Sequence, residues 1–291
     1  MVADLWESDK QQYALAYVVL SSVGGTSIGP LAGGPIAAYL TWRWNIWVQL
    51  IFGVVVQVIH FFMPESRTTI LMDKEAKRRR KNGEDIWGPN EVKNPRISMK
   101  EFAVTWRRPF VMFFKEPIVL SMSLLSGFSD ALIFTCAESF PLVFEQWGFD
   151  TVQLGFSFWP IVIGYLIAYA SYFPWIHKDH NTMRKYGVDS ISPEHRLYWL
   201  LWLVPLLPIG LFGFAWTSTG PPLPWIAPMI FAALIAIANY AIYMSTIDYM
   251  VAAYGAYSAS ATGGNGFARD FLAGVSAMYT HVCCIAFDTL T

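Results

Sequence analysis

The segment SSVGGTSIGPLAGGPIAAY, Ser21 to Tyr39, sets Gly24, Gly25, Gly29, Gly33 and Gly34 together with Pro30 and Pro35 inside an otherwise apolar run. In water a helix interior loses roughly 0.5–1 kcal/mol for each glycine and about 3 kcal/mol for a proline, relative to alanine. In lipid the balance changes, because neighbouring helices satisfy the backbone groups that proline frees. Lipid also gives no hydrophobic drive between helices, so close backbone approach over small residues supplies much of the packing energy. Gly25, Gly29 and Gly33 lie four apart and form two overlapping G-x-x-x-G pairs. The spacing predicts a flat seam on one helix face, with Pro30 loosening the helix beside it.

The rest of the chain agrees with a membrane setting. Of its 291 residues 55% are hydrophobic and only 14% are charged, against roughly 25% charged in a soluble domain. The formal net charge of -1 gives no electrostatic case for a nucleic-acid partner. Three cysteines, Cys136, Cys283 and Cys284, show no disulfide framework and no zinc-ligand spacing. The start, MVADLWESDKQQ, lacks the apolar core of a signal peptide, so insertion is expected to rely on the spans themselves.

A helix needs about 20 mostly apolar residues to cross the hydrocarbon layer. Seven windows qualify, near 13–39, 44–63, 117–141, 152–176, 197–216, 225–250 and 257–287, and windows of this length exclude a barrel. The fold class expected is an all-α polytopic membrane protein with about seven transmembrane helices. Lysine and arginine collect on the cytoplasmic side of membranes. The connection from about residue 64 to 116 holds DKEAKRRRKNGED, Asp73 to Asp85, followed by Lys93, Arg96, Lys100, Arg107, Arg108 and Lys115. It is expected to be cytoplasmic. Its stretch KNPRISMKEFAVTWRRPF has the pattern of a short amphipathic helix at the membrane surface. Basic and neutral connections then alternate: EQWGFDT has no basic residue, the segment at 177–196 has Lys178, Arg184, Lys185 and Arg196, and TSTGPPLP again has none.

The whole string from Gly25 to Gly34, G-x-x-x-G-P-x-x-G-G, resembles the antiporter signature in the fifth span of drug:proton antiporters of the major facilitator superfamily. The following YLTWRWNIWVQLIFGVVVQVIHFFMPES is similar to the sixth span. RRPFVMFFKEPIVLSMSL resembles the entry to the seventh, PEHRLYWLLWLVPLLPIGLFGFAWT the ninth, and IDYMVAAYGAYSASATGGNGFARDFLAG the end of the tenth and start of the eleventh. The style is that of fungal polyamine and multidrug exporters. The resemblance implies a partial major facilitator fold, spans five to eleven of twelve. Residues 1–64 would be the last two spans of an N-terminal bundle, 65–116 the basic central loop, and 117–291 a C-terminal bundle lacking its last span, so that the chain reads as a fragment. It also implies proton-coupled export of cationic or amphipathic small molecules across the plasma membrane, with no cofactor. The tail after Tyr279 departs from the family's apolar continuation.

Ionisable groups inside a span cost roughly 2.5–3.5 kcal/mol at the helix centre on insertion scales, so they face a protein interior or a wet cavity. Asp130 and Glu138 share the third window, about 80° apart around the helix axis. Asp130 is the carboxylate expected to carry a proton or meet a cation; Glu138, nearer the outer end, is a second pathway candidate. Asn239 and Tyr243, four apart, are placed to line a cavity together, and Phe134 is an interior aromatic suited to cation–π contact. Asp248 and Arg269 are expected as gating or salt-bridge residues near the cytoplasmic end. Trp42, Trp44, Trp47, Trp147, Trp159, Trp175, Trp216 and Trp225 fall near span ends, as an interfacial belt requires. His177 and His180 form an H-x-x-H pattern without a scaffold for metal, and none is expected. The basic KEAKRRRK run suits anionic lipid headgroups but is explained by topology alone. No phosphate-binding loop, nucleophile elbow, zinc-protease motif or nucleic-acid module occurs, so an enzyme is not expected. A seven-span receptor is the alternative that the span count suggests, and the long basic connection after the second span argues against it.

Overall fold

A computed structural model describes residues 6, 10–65, 67–92, 99–187 and 192–288. Twelve α-helices follow in order among the described residues: α1 (Gln11–Tyr39), α2 (Arg43–Phe62), α3 (Thr68–Lys81), α4 (Pro89–Val92), α5 (Met99–Lys115), α6 (Pro117–Glu145), α7 (Thr151–Phe156), α8 (Trp159–Tyr186), α9 (Tyr198–Leu203), α10 (Leu206–Thr217), α11 (Ile226–Tyr254) and α12 (Ser258–Asp288). Short 3-10 turns at Pro193–Leu197 and Gly255–Tyr257 lead into α9 and α12. Among the described residues six segments are long and apolar enough to cross a membrane: α1, α2, α6, α7 with α8, the turn at Pro193 with α9 and α10, and α11. The seventh window also forms one continuous helix, α12, although its first half, SASATGGNGFARD, is small and polar.

Local chemistry sets several of the boundaries. Pro117 is the first residue of α6 and Pro160 the second of α8, both in the first turn, where the missing N–H costs nothing. At the start of α7 the Asp150 carboxylate accepts from the Thr151 N–H at 2.8 Å, and the Asp150 N–H donates to the Gln153 side chain at 3.0 Å. This reciprocal cap satisfies donors that a helix start otherwise leaves open. Helix α1 stays continuous through Pro30 and Pro35.

The basic connection differs from a plain loop. Its charged run is helical through Lys81, and Glu75 meets Arg78 and Arg79 at one-turn spacing. Arg80 pairs with Glu91, and its guanidinium lies 4.2 Å from the centre of the Trp87 ring, which folds the segment after α3 back onto it. From Met99 onward the amphipathic stretch is the helix α5, which rests on α12 with Pro109 against Gly264 and Phe110 edge-on to Phe267. Lys93 and Arg96 lie outside the described residues.

The core forms around α11, which α1, α6, α8, α10 and α12 all contact. Close approach occurs over glycines that the sequence pattern did not single out. A Cβ on Gly164 would stand 2.6 Å from the Ala233 carbonyl oxygen, one on Gly127 would meet Leu272 at 2.7 Å, and one on Gly210 would meet Ile235 at 2.7 Å. Within this chain the four-spaced row of α1 is open. The buried residues of α1 are Gln12, Leu15, Ala16, Val19, Val23 and Ser27, and the row Gly25–Gly29–Gly33 sits about 200° around the helix from Val23 and Ser27. A Cβ at any of the three would meet nothing within 4 Å. Gly34, seven residues after Ser27, returns to the buried face, and there a Cβ would stand 2.8 Å from the Gly155 backbone. Within this chain the tight contact of the motif is Pro30–Gly34 on α7, and the four-spaced row meets no part of it.

Candidate functional site

Helices α6, α8, α11, α12 and α1 converge on Asp130 midway along α6. The Asp130 Oδ1 accepts from the Asn239 amide at 3.3 Å, and the same amide donates to Ser129 Oγ at 3.2 Å. Asn239 in turn faces the Tyr165 hydroxyl at 3.4 Å through its Oδ1. From α12, Arg269 brings its Nε to 3.6 Å from Asp130 Oδ2. Its guanidinium sits over the Tyr243 ring at 4.2 Å and donates to Asp270 Oδ1 from Nε at 3.1 Å and Nη2 at 3.0 Å. Only 13% of the Asp130 side chain and 16% of Arg269 are exposed, against 71% of Asp270.

Asp130, Tyr165, Arg269 and Asp270 border a cavity of about 320 Å³, whose polar wall also includes Ser22 and Thr26, whereas Asn239 and Tyr243 stand behind that wall and do not line it. The remaining wall is apolar and includes Val23, Ile133, Phe134 and Ala277. A carboxylate buried with a single guanidinium and one amide holds a charge that must stay compensated, since an unpaired buried ion is strongly destabilising. The arrangement can exchange one positive partner of Asp130 for another.

A second polar cluster lies where α8 ends and α11 nears its last turns, at the end of the bundle that carries the basic connections. Asp248 is fully buried. Its Oδ2 accepts from Gln12 Nε2 and from the Tyr172 hydroxyl, each at 3.0 Å, and its Oδ1 is paired with Arg196. Beside it the buried Asp179 faces His195 Nδ1 across 3.2 Å, and His195 stacks on Trp175. Because Gln12 belongs to α1, this cluster ties the first helix to α8, α11 and the turn at Pro193.

The structure thus brings Asp130, Asn239, Tyr243, Phe134 and Arg269 into one place and leaves the other sequence candidates elsewhere. Glu138 is exposed and does not border the cavity. Asp248 and Arg269, grouped by sequence as gate residues, belong to different clusters, and Arg269 reaches the mid-helix carboxylate. Of the motif residues, Pro30, Gly33 and Gly34 border a separate cavity of about 240 Å³ with Gly155, whereas Gly25 and Gly29 do not. Sequence reasoning missed Gln12, Tyr172 and Arg196 as partners of Asp248. Arg196 was counted among loop charges because only its fold onto α11 reveals it.

Residues 1–277 match the family described as the Major Facilitator Superfamily. The chain is 30% identical over 286 residues to "Transporter mfs1" of Schizosaccharomyces pombe, covering 96% of this chain and 53% of that protein. It is 31% identical to "Efflux pump atB" of Aspergillus terreus, over 94% of this chain and 59% of the relative. To "Multidrug transporter TPO1_2" of Candida glabrata the identity is 29%, over 92% of this chain and 47% of the relative. The chain therefore spans about half the length of these curated relatives. No solved structure matches it.

Proposed function

The chain belongs to the Major Facilitator Superfamily, and on that premise we propose that it is part of a secondary transporter that exports cationic or amphipathic small molecules in exchange for protons. The observation that carries this reading is the Asp130 carboxylate, buried at mid-helix yet bordering a cavity that has an apolar side formed by Val23, Ile133, Phe134 and Ala277. A cation with an apolar body would set its charge at Asp130 and its body against Phe134 and Ile133. A proton would compete with the substrate for the same carboxylate, since either one neutralises its charge. The printed names of the relatives, an efflux pump and a multidrug transporter, support the direction and breadth of this activity.

In this reading α1 and α2 are the last two spans of an N-terminal bundle, and α6 to α12 belong to the C-terminal one. Alternating access would rock the two about the Asp130 level. The basic end faces the cytoplasm by the distribution of lysine and arginine, and the plasma membrane is the proposed location. The Asp248 cluster, which joins α1 to α8 and α11, would be a contact between bundles at that end. The receptor alternative gains no support from either the cavity or the relatives.

A chimera tests the proposal: residues 1–277 replace the matching segment of the Schizosaccharomyces pombe relative, and efflux of the cationic dye rhodamine 6G is followed in pump-deficient yeast. Efflux is expected, with collapse on adding a protonophore and a loss of at least about tenfold in Asp130→Asn. Protonophore-resistant efflux, or efflux unchanged in Asp130→Asn, overturns the reading.

A further inference from the structure

We propose that Arg269 is a built-in competitor for the cation site: its guanidinium compensates Asp130 while no other cation is present and is taken over by Asp270 when one enters. The inference rests on the reading of the cavity as a cation site. Its own basis is the unequal way in which Arg269 divides its contacts. Both directional bonds of the guanidinium, from Nε at 3.1 Å and from Nη2 at 3.0 Å, end on Asp270 Oδ1. Asp130 receives only a charge contact at 3.6 Å, longer than a hydrogen bond. Since the Asn239 amide bonds Oδ1 of Asp130, the open acceptor is Oδ2, the oxygen that faces Arg269.

The surroundings permit the exchange. Arg269, Asp130 and Asp270 all border the same cavity, so an incoming cation meets all three. The Tyr243 ring lies beneath the guanidinium, and a flat π-face keeps attracting a cation as the planar group shifts across it. Asp270 is mostly solvated and can receive the whole charge of Arg269 without a partner of its own. Asp130 is not solvated and cannot be left alone. Departure of Arg269 is therefore tied to arrival of another positive charge. The ligand class that follows is a compact organic ammonium ion with an apolar portion, which needs only one carboxylate and gains from Phe134 and Ile133.

Binding of benzyltrimethylammonium to the chain in lipid nanodiscs, with neopentylbenzene as the uncharged isostere, tests this directly. Asp130→Asn should abolish binding of the cation; a cation that fails to bind the parent chain, or binds Asp130→Asn equally well, overturns both this proposal and the site assignment beneath it. Arg269→Gln should tighten cation binding by about tenfold, although a positive charge has been removed. It should also make the cation raise the melting temperature by more than in the parent chain, because binding supplies the missing partner. Asp270→Asn, which changes an exposed side chain, should weaken binding about tenfold by leaving Arg269 on Asp130. In the Arg269→Gln background the same Asp270 change should have little effect, since Asp270 acts through Arg269. Weaker or unchanged binding in a folded Arg269→Gln chain, or an Asp270→Asn effect that persists without Arg269, overturns the competitor role and leaves the cation site standing. Should Arg269→Gln fail to fold, Arg269→Lys carries the cycle, with an ammonium that cannot bridge two carboxylates in the same way.

Discussion

Helices α2 and α11 are about equally apolar, and within this chain, which spans about half the length of its relatives, their surroundings are opposite. More than half of the apolar stretch of α11 is buried inside the molecule, with Asn239, Ser245, Thr246 and Asp248 among its buried residues. No residue of α2 is buried within this chain, and its main contact is with α1. Hydropathy reports that both can lie in a membrane. It does not report that one is the axis of a packed bundle with polar chemistry inside, while the other presents Phe52, Val55, Ile59 and Phe62 outward.

The comparison is broken or sharpened most strongly at Asp248. Replacing it with alanine leaves Arg196 and Tyr172 buried without their carboxylate and removes the Gln12 tie to α1. A loss of about 3 kcal/mol or more is expected, read as a fall in melting temperature of the purified chain in detergent. A loss under about 1 kcal/mol would mean that the buried polar groups of α11 are dispensable, and the contrast with α2 would fail.

A smaller effect separates two glycines of one motif. Gly34→Ala pushes a methyl group into the Gly155 backbone and should cost about 1–3 kcal/mol, since neither backbone can yield without moving a helix. Gly29→Ala meets open space and should be neutral or stabilising by up to about 1 kcal/mol through helix propensity. Thermal unfolding of the two variants side by side checks the order. An equal cost at both would show that the four-spaced row also packs within this chain.

The smallest effect is expected on α2. Phe52→Ala, at a side chain 70% exposed, should change stability by less than about 0.5 kcal/mol. A cost above about 1.5 kcal/mol in the same assay would show that α2 is covered, and burial would no longer distinguish it from α11.

Much of the candidate site was legible residue by residue. Asp130 and Arg269 stood out because a charge within an apolar span requires a reason, and Asn239 and Tyr243 because they share a helix face. Their meeting was not legible, since it depends on α6, α11 and α12 lying side by side. Glu138 satisfied the same criterion as Asp130, but its position around α6 leaves it exposed. The glycine row was read as a seam from spacing alone. Which face of α1 turns inward is set by its partners, and they select Val23, Ser27 and Gly34.

The sequence by itself determined where six of the membrane-length segments lie, the alternation of basic and neutral connections, and the family. These depend on local demands, namely enough apolar length to cross hydrocarbon and positive charge kept at one side. The tertiary structure alone decided which faces are inside, because a helix in lipid is apolar on its outer and inner faces alike and carries no hydropathy contrast between them. It also decided which buried charges are partners, as an ion pair between separate helices exists only once their packing has fixed the distance.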